Sequence, residues 1–269
     1  MPTNLHRIAC LVAAAVLAAT IGGCATAPDR SDAEAYAEFQ AINDPLEPLN
    51  RTVFGFNQAI DAMFLRPLAD FYRLLLPPPL REGVHNVLSN LRSPVVLAND
   101  LLQGEFERAG TTTGRFLINS TLGVGGLADW ASDFGLAQHN EDFGQTLAVW
   151  GSPEGPFLML PLVGPSNPRD AAGIAVDSLI LDPFGLLGTL NMDTEWMRTL
   201  SYTRLGVTII DARSQNVEEL DDLQKSSLDF YAALRSLYRQ YRLSEIWQGQ
   251  PPPGEEGPSL DDLPAIPVQ

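Results

Sequence analysis

The sequence predicts a mainly α-helical protein: many short amphipathic helices, one hairpin-like loop and no large sheet. Three observations lead there. Apolar residues recur at spacings of three and four along much of the chain. The chain carries 21 prolines and 22 glycines but few strand-like runs, which implies short helices with sharp corners. Only one pair of short apolar runs, either side of Gly151–Pro156, reads as extended structure. At 269 residues and 45% apolar, the chain is large enough to bury a core. Its 33 acids against 17 bases give a formal charge of −16. That sign opposes nucleic acid, whose phosphate backbone demands a surplus of Lys and Arg.

Residues 1–23 read as a signal. A short polar start with His6 and Arg7 precedes the apolar run Ile8–Ile21, which at about 14 residues is short for a bilayer span. It closes on Ile21-Gly22-Gly23-Cys24, a lipobox, in which small residues let the peptidase approach the backbone. Cys24 then becomes residue one, carrying a thioether-linked diacylglycerol and an N-acyl chain. The alternative is an ordinary signal with a chance cysteine. On the lipobox reading Cys10 leaves with the signal and Cys24 is consumed, so no thiol remains for a disulfide. At about 0.8 kcal/mol per buried CH₂, two or three acyl chains hold the chain at a membrane. Ala25 is not the Asp that retains lipoproteins in the inner membrane, so the expected address is the outer membrane. Residues 24–42 form the lipidated N-terminus and a polar tether.

The helical body is expected over residues 43–249. Asp44-Pro45-Leu46-Glu47 has the pattern of a helix start, with Asp44 as N-cap and Pro45 at the first position. Leu46, Leu49, Val53, Phe56, Ile60 and Met63 then form a stripe. Pro77-Pro78-Pro79 breaks the chain before a helix over about Leu80–Leu91. Ser93-Pro94 repeats the cap-and-proline device and predicts a separate short helix to about Leu102. A longer one runs from Glu105 to Leu122 and ends in Gly123-Val124-Gly125-Gly126. Thr146–Trp150 and Phe157–Leu160 are the two runs read as extended. Asn167-Pro168 and Asp182-Pro183 restart helices. Two long helices follow, roughly Glu195–Ala212 and Val217–Trp247. The second has Glu218, Glu219, Asp221 and Asp222 near its start and Arg235, Arg239 and Arg242 near its end, the polarity the helix dipole favours. Residues 250–269 are acidic and proline-rich, the composition of a disordered tail.

Chemistry-bearing motifs are scarce. After the signal only His85 and His139 remain, without a Cys-x-x-Cys or His-x-x-x-His pattern, so neither a metal site nor a cofactor is expected. The chain has no Gly-x-Ser-x-Gly elbow and no phosphate-cradling Gly-x-x-x-x-Gly-Lys-Ser/Thr loop. The Gly123–Gly126 cluster reads as a helix terminator rather than a dinucleotide loop. We therefore expect no catalytic residue and no enzyme. Short amphipathic helices admit two arrangements: one dry core, or helices lying at a membrane interface with their apolar faces in the acyl region.

The segment Asn43–Asn57 (NDPLEPLNRTVFGFN) resembles the opening of the MlaA (VacJ) family of outer-membrane lipoproteins. The likeness continues at Arg115–Asp129 (RFLINSTLGVGGLAD), at Asp142–Leu147, through Gly151–Pro161 and at Arg169-Asp170. One departure is Pro153, where relatives often place the middle of three alternating glycines. The resemblance implies a ring-like protein embedded in the inner leaflet of the outer membrane. It implies an amphipathic channel that takes misplaced phospholipids from the outer leaflet, a periplasmic carrier of the MlaC type that receives them, and a trimeric porin as partner. By the same likeness Gly151, Gly155 and Pro156 would gate or shape the channel. Asn50, Arg51, Phe56 and Asn57 match the first-helix motif, with helix packing as the other reading, and Arg115 and Asn119, one turn apart, suit structural partners. A lipoprotein scaffold that binds porins without transporting lipid is the competing function.

Overall fold

The computed structural model describes residues 42–248 continuously, together with 28, 32, 36 and 39. The expected signal, Cys24 and the expected tail, with residues 249–269, lie outside the described residues, as does most of the expected tether. Within them the fold is almost wholly helical, with one two-stranded antiparallel sheet.

Helix α1 spans Glu47–Ile60, passes through a π-helical turn at Asp61–Leu65 and continues as α2, Arg66–Leu75. Its start differs from expectation: Leu46 occupies the N-cap position, and the Asp44 side chain is instead buried. Helix α3 is a single helix, Pro78–Gln103, running through Pro94. The predicted break at Ser93-Pro94 is absent. Both halves of α3 bury residues, Gly83 and Asn90 before the proline and Val95, Val96, Asn99 and Asp100 after it, and the helix lies along α4, Phe106–Thr121. That packing outweighs the one backbone hydrogen bond a proline removes. The glycine cluster after α4 forms a tight turn, in which a Cβ on Gly126 would come within 2.8 Å of Asn90. A short α5, Trp130–Asp133, follows.

The hairpin lies further along the chain than the apolar runs suggest. Phe143–Val149 is a helix, α6, because Asp142 caps it by accepting from the Gln145 N–H. The strands are β1, Leu158–Leu160, and β2, Gly164–Ser166, paired as Leu158 with Ser166 and Leu160 with Gly164. Gly151–Pro156 therefore links a helix to a strand, and the hairpin turn is Pro161–Val163. The Asn167 and Asp182 caps form as predicted, opening α7 (Pro168–Val176) and α8 (Pro183–Thr189), with a π turn at Asp177–Leu181 between them. Helix α9 covers Glu195–Gln215. The last predicted helix is two, α10 (Val217–Ser226) and α11 (Phe230–Ile246). Asp229 caps α11 and bonds Arg51, so the chain turns at Ser227–Asp229 and Leu228 points to solvent.

The elements close two circuits of contact. One runs α3–α6–α7–second π turn–α8–α9 and back to α3. The other runs α9–α2–first π turn–α1–β1–β2–α11–α10 and back to α9. The fold is a ring-like helical bundle. Among the described residues, no single helix is long and apolar enough to cross a membrane.

The burial pattern is partly inverted. Only nine apolar residues are buried among those described, against nineteen polar or charged ones. Large apolar side chains lie on the outside, including Leu74 (83% exposed), Phe106 (74%) and Val124 (72%). A single dry core does not describe this molecule. The compact apolar cluster is small: Phe157, Met159 and Tyr231, with Val53, Phe54, Leu234 and Tyr238 against it.

Candidate functional site

The residues of the first-helix motif hold the strand. Asn50 is buried, donates to the Asp44 carboxylate (2.8 Å) and the Phe157 carbonyl (3.0 Å), and accepts from the Met159 N–H (2.9 Å). Asn57, two turns later, donates to the Leu160 carbonyl (2.9 Å) and accepts from the Leu162 N–H (2.8 Å). Seven helical residues rise about 10.5 Å and three strand residues about 10 Å, so the two amides meet the strand in matched register. Asn50 occupies backbone groups of Phe157 and Met159 that the two-stranded sheet leaves unpaired, and Asn57 grips the hairpin where the strand enters its turn. Arg51, between them, reaches outward to Asp229 (2.5 Å) and Glu47 (2.7 Å) and lies 4.4 Å from the Tyr231 ring centre. Phe56 is half exposed on the outer face.

Asp44 anchors the far end. The Tyr231 hydroxyl donates to it at 2.5 Å and Arg235 at 2.7 Å. Burial and the Asp44 carboxylate push the Tyr231 phenol well above its usual range, so it stays a donor. Asn43 continues the clamp: its amide donates to the Gly155 carbonyl (2.7 Å) and its own carbonyl accepts from Phe157 (2.8 Å). Arg239 holds Glu154 at 2.9 Å. The linker is thus fastened at its strand end, while Gly151 and Pro153 are exposed at the other. Gly151 (φ +87°) and Gly155 (φ +73°) both adopt left-handed backbone. A Cβ on Gly155 would meet Pro168 at 3.0 Å, whereas Gly151 has open space. Pro156 is half-buried between Gly155 and the clamped Phe157.

Arg115 and Asn119 are partners, as their spacing suggests, through a shared carboxylate. Arg115 meets Asp129 at 2.9 and 2.8 Å, and Asn119 donates to it at 2.8 Å. Burial works against the Asp129 charge, but hydrogen bonds from Ser132, Arg115 and Asn119 hold its pKa down to about 2. Arg115 also donates to Ser132 and to the Leu136 carbonyl, so the motif pins the α4–α5 corner.

The segments Asp142–Leu147 and Arg169-Asp170 converge on Arg242 of α11, whose position near the helix end suggests no more than a match to the helix dipole. Its guanidinium meets Asp142 twice at 2.6 Å and Asp170 at 2.8 and 3.2 Å. Gly144 and Gly173 make this possible, since a Cβ on Gly173 would lie 2.4 Å from the Gly144 nitrogen. The helices α6 and α7 touch backbone to backbone there.

Inside the second circuit lies a cavity of about 230 Å³. Phe54, Ile60, Leu162, Leu220 and Leu234 line it with apolar surface, and Asn57, Asp61, Arg213, Asp221 and Gln224 with polar groups. Arg213 pairs with Asp61 through Nε (2.6 Å) and Nη2 (2.9 Å). Sequence patterns do not show this site because its residues come from seven elements and the hairpin turn. Among the described residues, no group of three or more His, Cys, Asp or Glu is placed to hold a metal ion.

Comparison with known proteins gives these contacts a context. The family model described as MlaA lipoprotein matches residues 42–245. An Escherichia coli protein named intermembrane phospholipid transport system lipoprotein MlaA is 35% identical, over 75% of this chain and 77% of its own. The Haemophilus influenzae protein of that name is 30% identical over 86% of this chain and 87% of its own. A solved chain from work on the structural basis for maintenance of bacterial outer membrane lipid asymmetry superposes with a TM-score of 0.62 at 34% identity. It covers 77% of this chain and 99% of that one. With the match spanning the clamp, the Arg115 corner and the Arg242 knot alike, this chain belongs to the MlaA lipoprotein family.

Proposed function

We propose that this chain is an outer-membrane lipoprotein that removes misplaced phospholipids from the outer leaflet and passes them to a periplasmic carrier of the MlaC type. The observation that carries this reading is the inverted burial: polar groups inside, large apolar side chains outside. An exposed apolar surface of this extent marks a membrane or protein contact. Helices of which none, among the described residues, is both long and apolar enough to span suit the interface, with apolar faces in the acyl region. A lipid that changes leaflet needs a polar path for its headgroup, because an unsolvated phosphate in hydrocarbon is very costly. A helical ring with a polar interior supplies one. No bond is made or broken, in keeping with a chain that carries no catalytic motif.

In this reading Cys24 carries diacylglycerol and an N-acyl chain, and the body sits in the inner leaflet of the outer membrane beside a trimeric porin. Gly151, Gly155 and Pro156 shape the channel entrance. Asn43 and Arg239 hold the Glu154–Gly155 end of the linker, and the Gly151 and Ser152 N–H groups bond the Ala148 and Leu147 carbonyls at the other. A clean deletion tests the function: phospholipid exposed in the outer leaflet should rise and be restored by the native gene. Unchanged lipid asymmetry would favour the scaffold that binds porins without transport.

A further inference from the structure

The charged groups around the cavity of the second circuit neutralise one another. Arg213 spends Nε and Nη2 on Asp61, and Asp221 is held by Arg66. The other polar side chains of the lining are uncharged amides: Asn57, already bonded to the hairpin, with Gln58 and Gln224. The rest is hydrocarbon. Met159 is buried at the cavity wall, and Phe54 and Leu234 pack against the small apolar cluster behind it. Leu162 and Val163 line the same cavity from the hairpin turn, where they are 67% and 57% exposed. An apolar surface thus runs from the outside of the molecule into the cavity.

We propose that this cavity takes the end of one acyl chain of a phospholipid, entering past Leu162 and Val163 and ending against Phe54, Met159 and Leu234. The inference rests on the transport reading and names the part of the lipid that this cavity holds. Charge excludes the headgroup: a phosphate leaving water would find neither a free cationic donor nor a net positive charge here. Polarity favours a chain over water, because a buried water needs two to four polar partners, whereas apolar cavities bind apolar ligands. Size limits the occupant. At about 230 Å³ the cavity is smaller than the roughly 300–1,000 Å³ sites that enclose drug-sized ligands, so it holds a length of one chain and not a whole lipid. A headgroup that follows the polar interior must leave its tails beside it, and this cavity gives one of them hydrocarbon to rest against.

The test is photolabelling of the full lipoprotein in vesicles of phosphatidylethanolamine and phosphatidylglycerol. The vesicles carry a trace of phosphatidylcholine with a diazirine either at the end of one acyl chain or on the headgroup, and adducts are located by mass spectrometry. The chain-end probe should mark Met159 and Leu234, and the headgroup probe should not. Leu220→Trp, which fills the cavity from α10, should cut the chain-end adducts at Met159 and Leu234 at least about fivefold while leaving those on exposed Leu74 and Phe106 unchanged. Gln224→Trp narrows the same cavity from an exposed position and replaces Leu220→Trp if that variant does not fold. Absence of cavity adducts when Leu74 and Phe106 are labelled overturns the proposal, as do equal labelling by the headgroup probe or unchanged labelling in the filled variant. The chain's own anchor has the same chemistry. Cavity labelling that appears only in Cys24→Ser, or rises there at least about fivefold, assigns the cavity to the anchor and overturns the assignment to a free phospholipid. The transport reading is judged apart from this, by whether deletion raises outer-leaflet phospholipid. If it does and the native cavity stays unlabelled, only the acyl-chain assignment fails.

Discussion

Arg242 and Asp142, 100 residues apart in the chain, meet through two parallel hydrogen bonds of 2.6 Å in the interior. The same guanidinium holds Asp170, so one side chain of the last helix fastens α6 and α7 together. Arg242 is 9% exposed and Asp170 5%, so neither can turn to water if the other is lost.

Arg242→Met should therefore destabilise by about 3–5 kcal/mol, the cost of stranding buried carboxylates. Asp142→Asn/Asp170→Asn in the same background should recover part of the loss by removing the uncompensated charges. Denaturant unfolding of the purified body measures both. A loss below about 1 kcal/mol for Arg242→Met would show that the knot does not hold the helices.

Asn50→Ala strips partners from a buried carboxylate, a carbonyl and an N–H, and should cost about 2–4 kcal/mol. Asn57→Ala, at a half-buried position, should cost about 1–2 kcal/mol. Because both grip one strand, the double mutant should lose less than the sum of the two. Strict additivity in a double-mutant cycle would argue against a shared clamp.

Acid should loosen the protein over a defined window. Burial opposes the Asp142 charge, but Arg242 and the Gln145 N–H lower its pKa from the ordinary 3.8 to about 2. A depressed carboxylate stabilises the fold fully above its unfolded pKa, and that stability is lost as pH falls through the folded value. Asp142 should thus contribute about 2 kcal/mol at neutral pH, lost between about pH 4 and pH 2. Asp129 should act in the same window and direction. Thermal unfolding of native protein and Asp142→Asn from pH 7 to pH 2 should converge at the acid end.

Gly151→Ala should cost about 1 kcal/mol, since only the left-handed backbone objects. Gly155→Ala should cost more, because Pro168 must also give way. Equal costs, read by chemical denaturation, would show that the two ends of the linker are equally loose.

Cys24→Ser should leave the chain unlipidated and abolish palmitate labelling. Labelling that persists in the variant would place the acyl chain elsewhere.

Local signals proved readable where the deciding chemistry is local. The Asn167 and Asp182 caps, the Pro77–Pro79 break and the Gly123–Gly126 turn all form as their residues suggest, because each rests on hydrogen bonds or dihedral limits a few residues wide. The same rules misread Asp44 and Pro94. Asp44 has a stronger use than capping, a buried bond to Tyr231 across 187 residues. Pro94 sits in a helix whose neighbour holds both halves. Thr146–Trp150 looked extended because a short apolar run has no period of its own, and Asp142 at its head decides for helix.

Residue patterns alone establish the helical class, most caps and corners, and the motifs that relate this chain to the MlaA lipoproteins. Which way the helices face follows from packing between distant segments. Periodicity marks an apolar stripe but not whether protein or lipid covers it, and here much of that surface is exposed while charged pairs fill the interior. The cavity around Arg213 was equally invisible, because its groups come from distant segments and meet only when the second circuit closes.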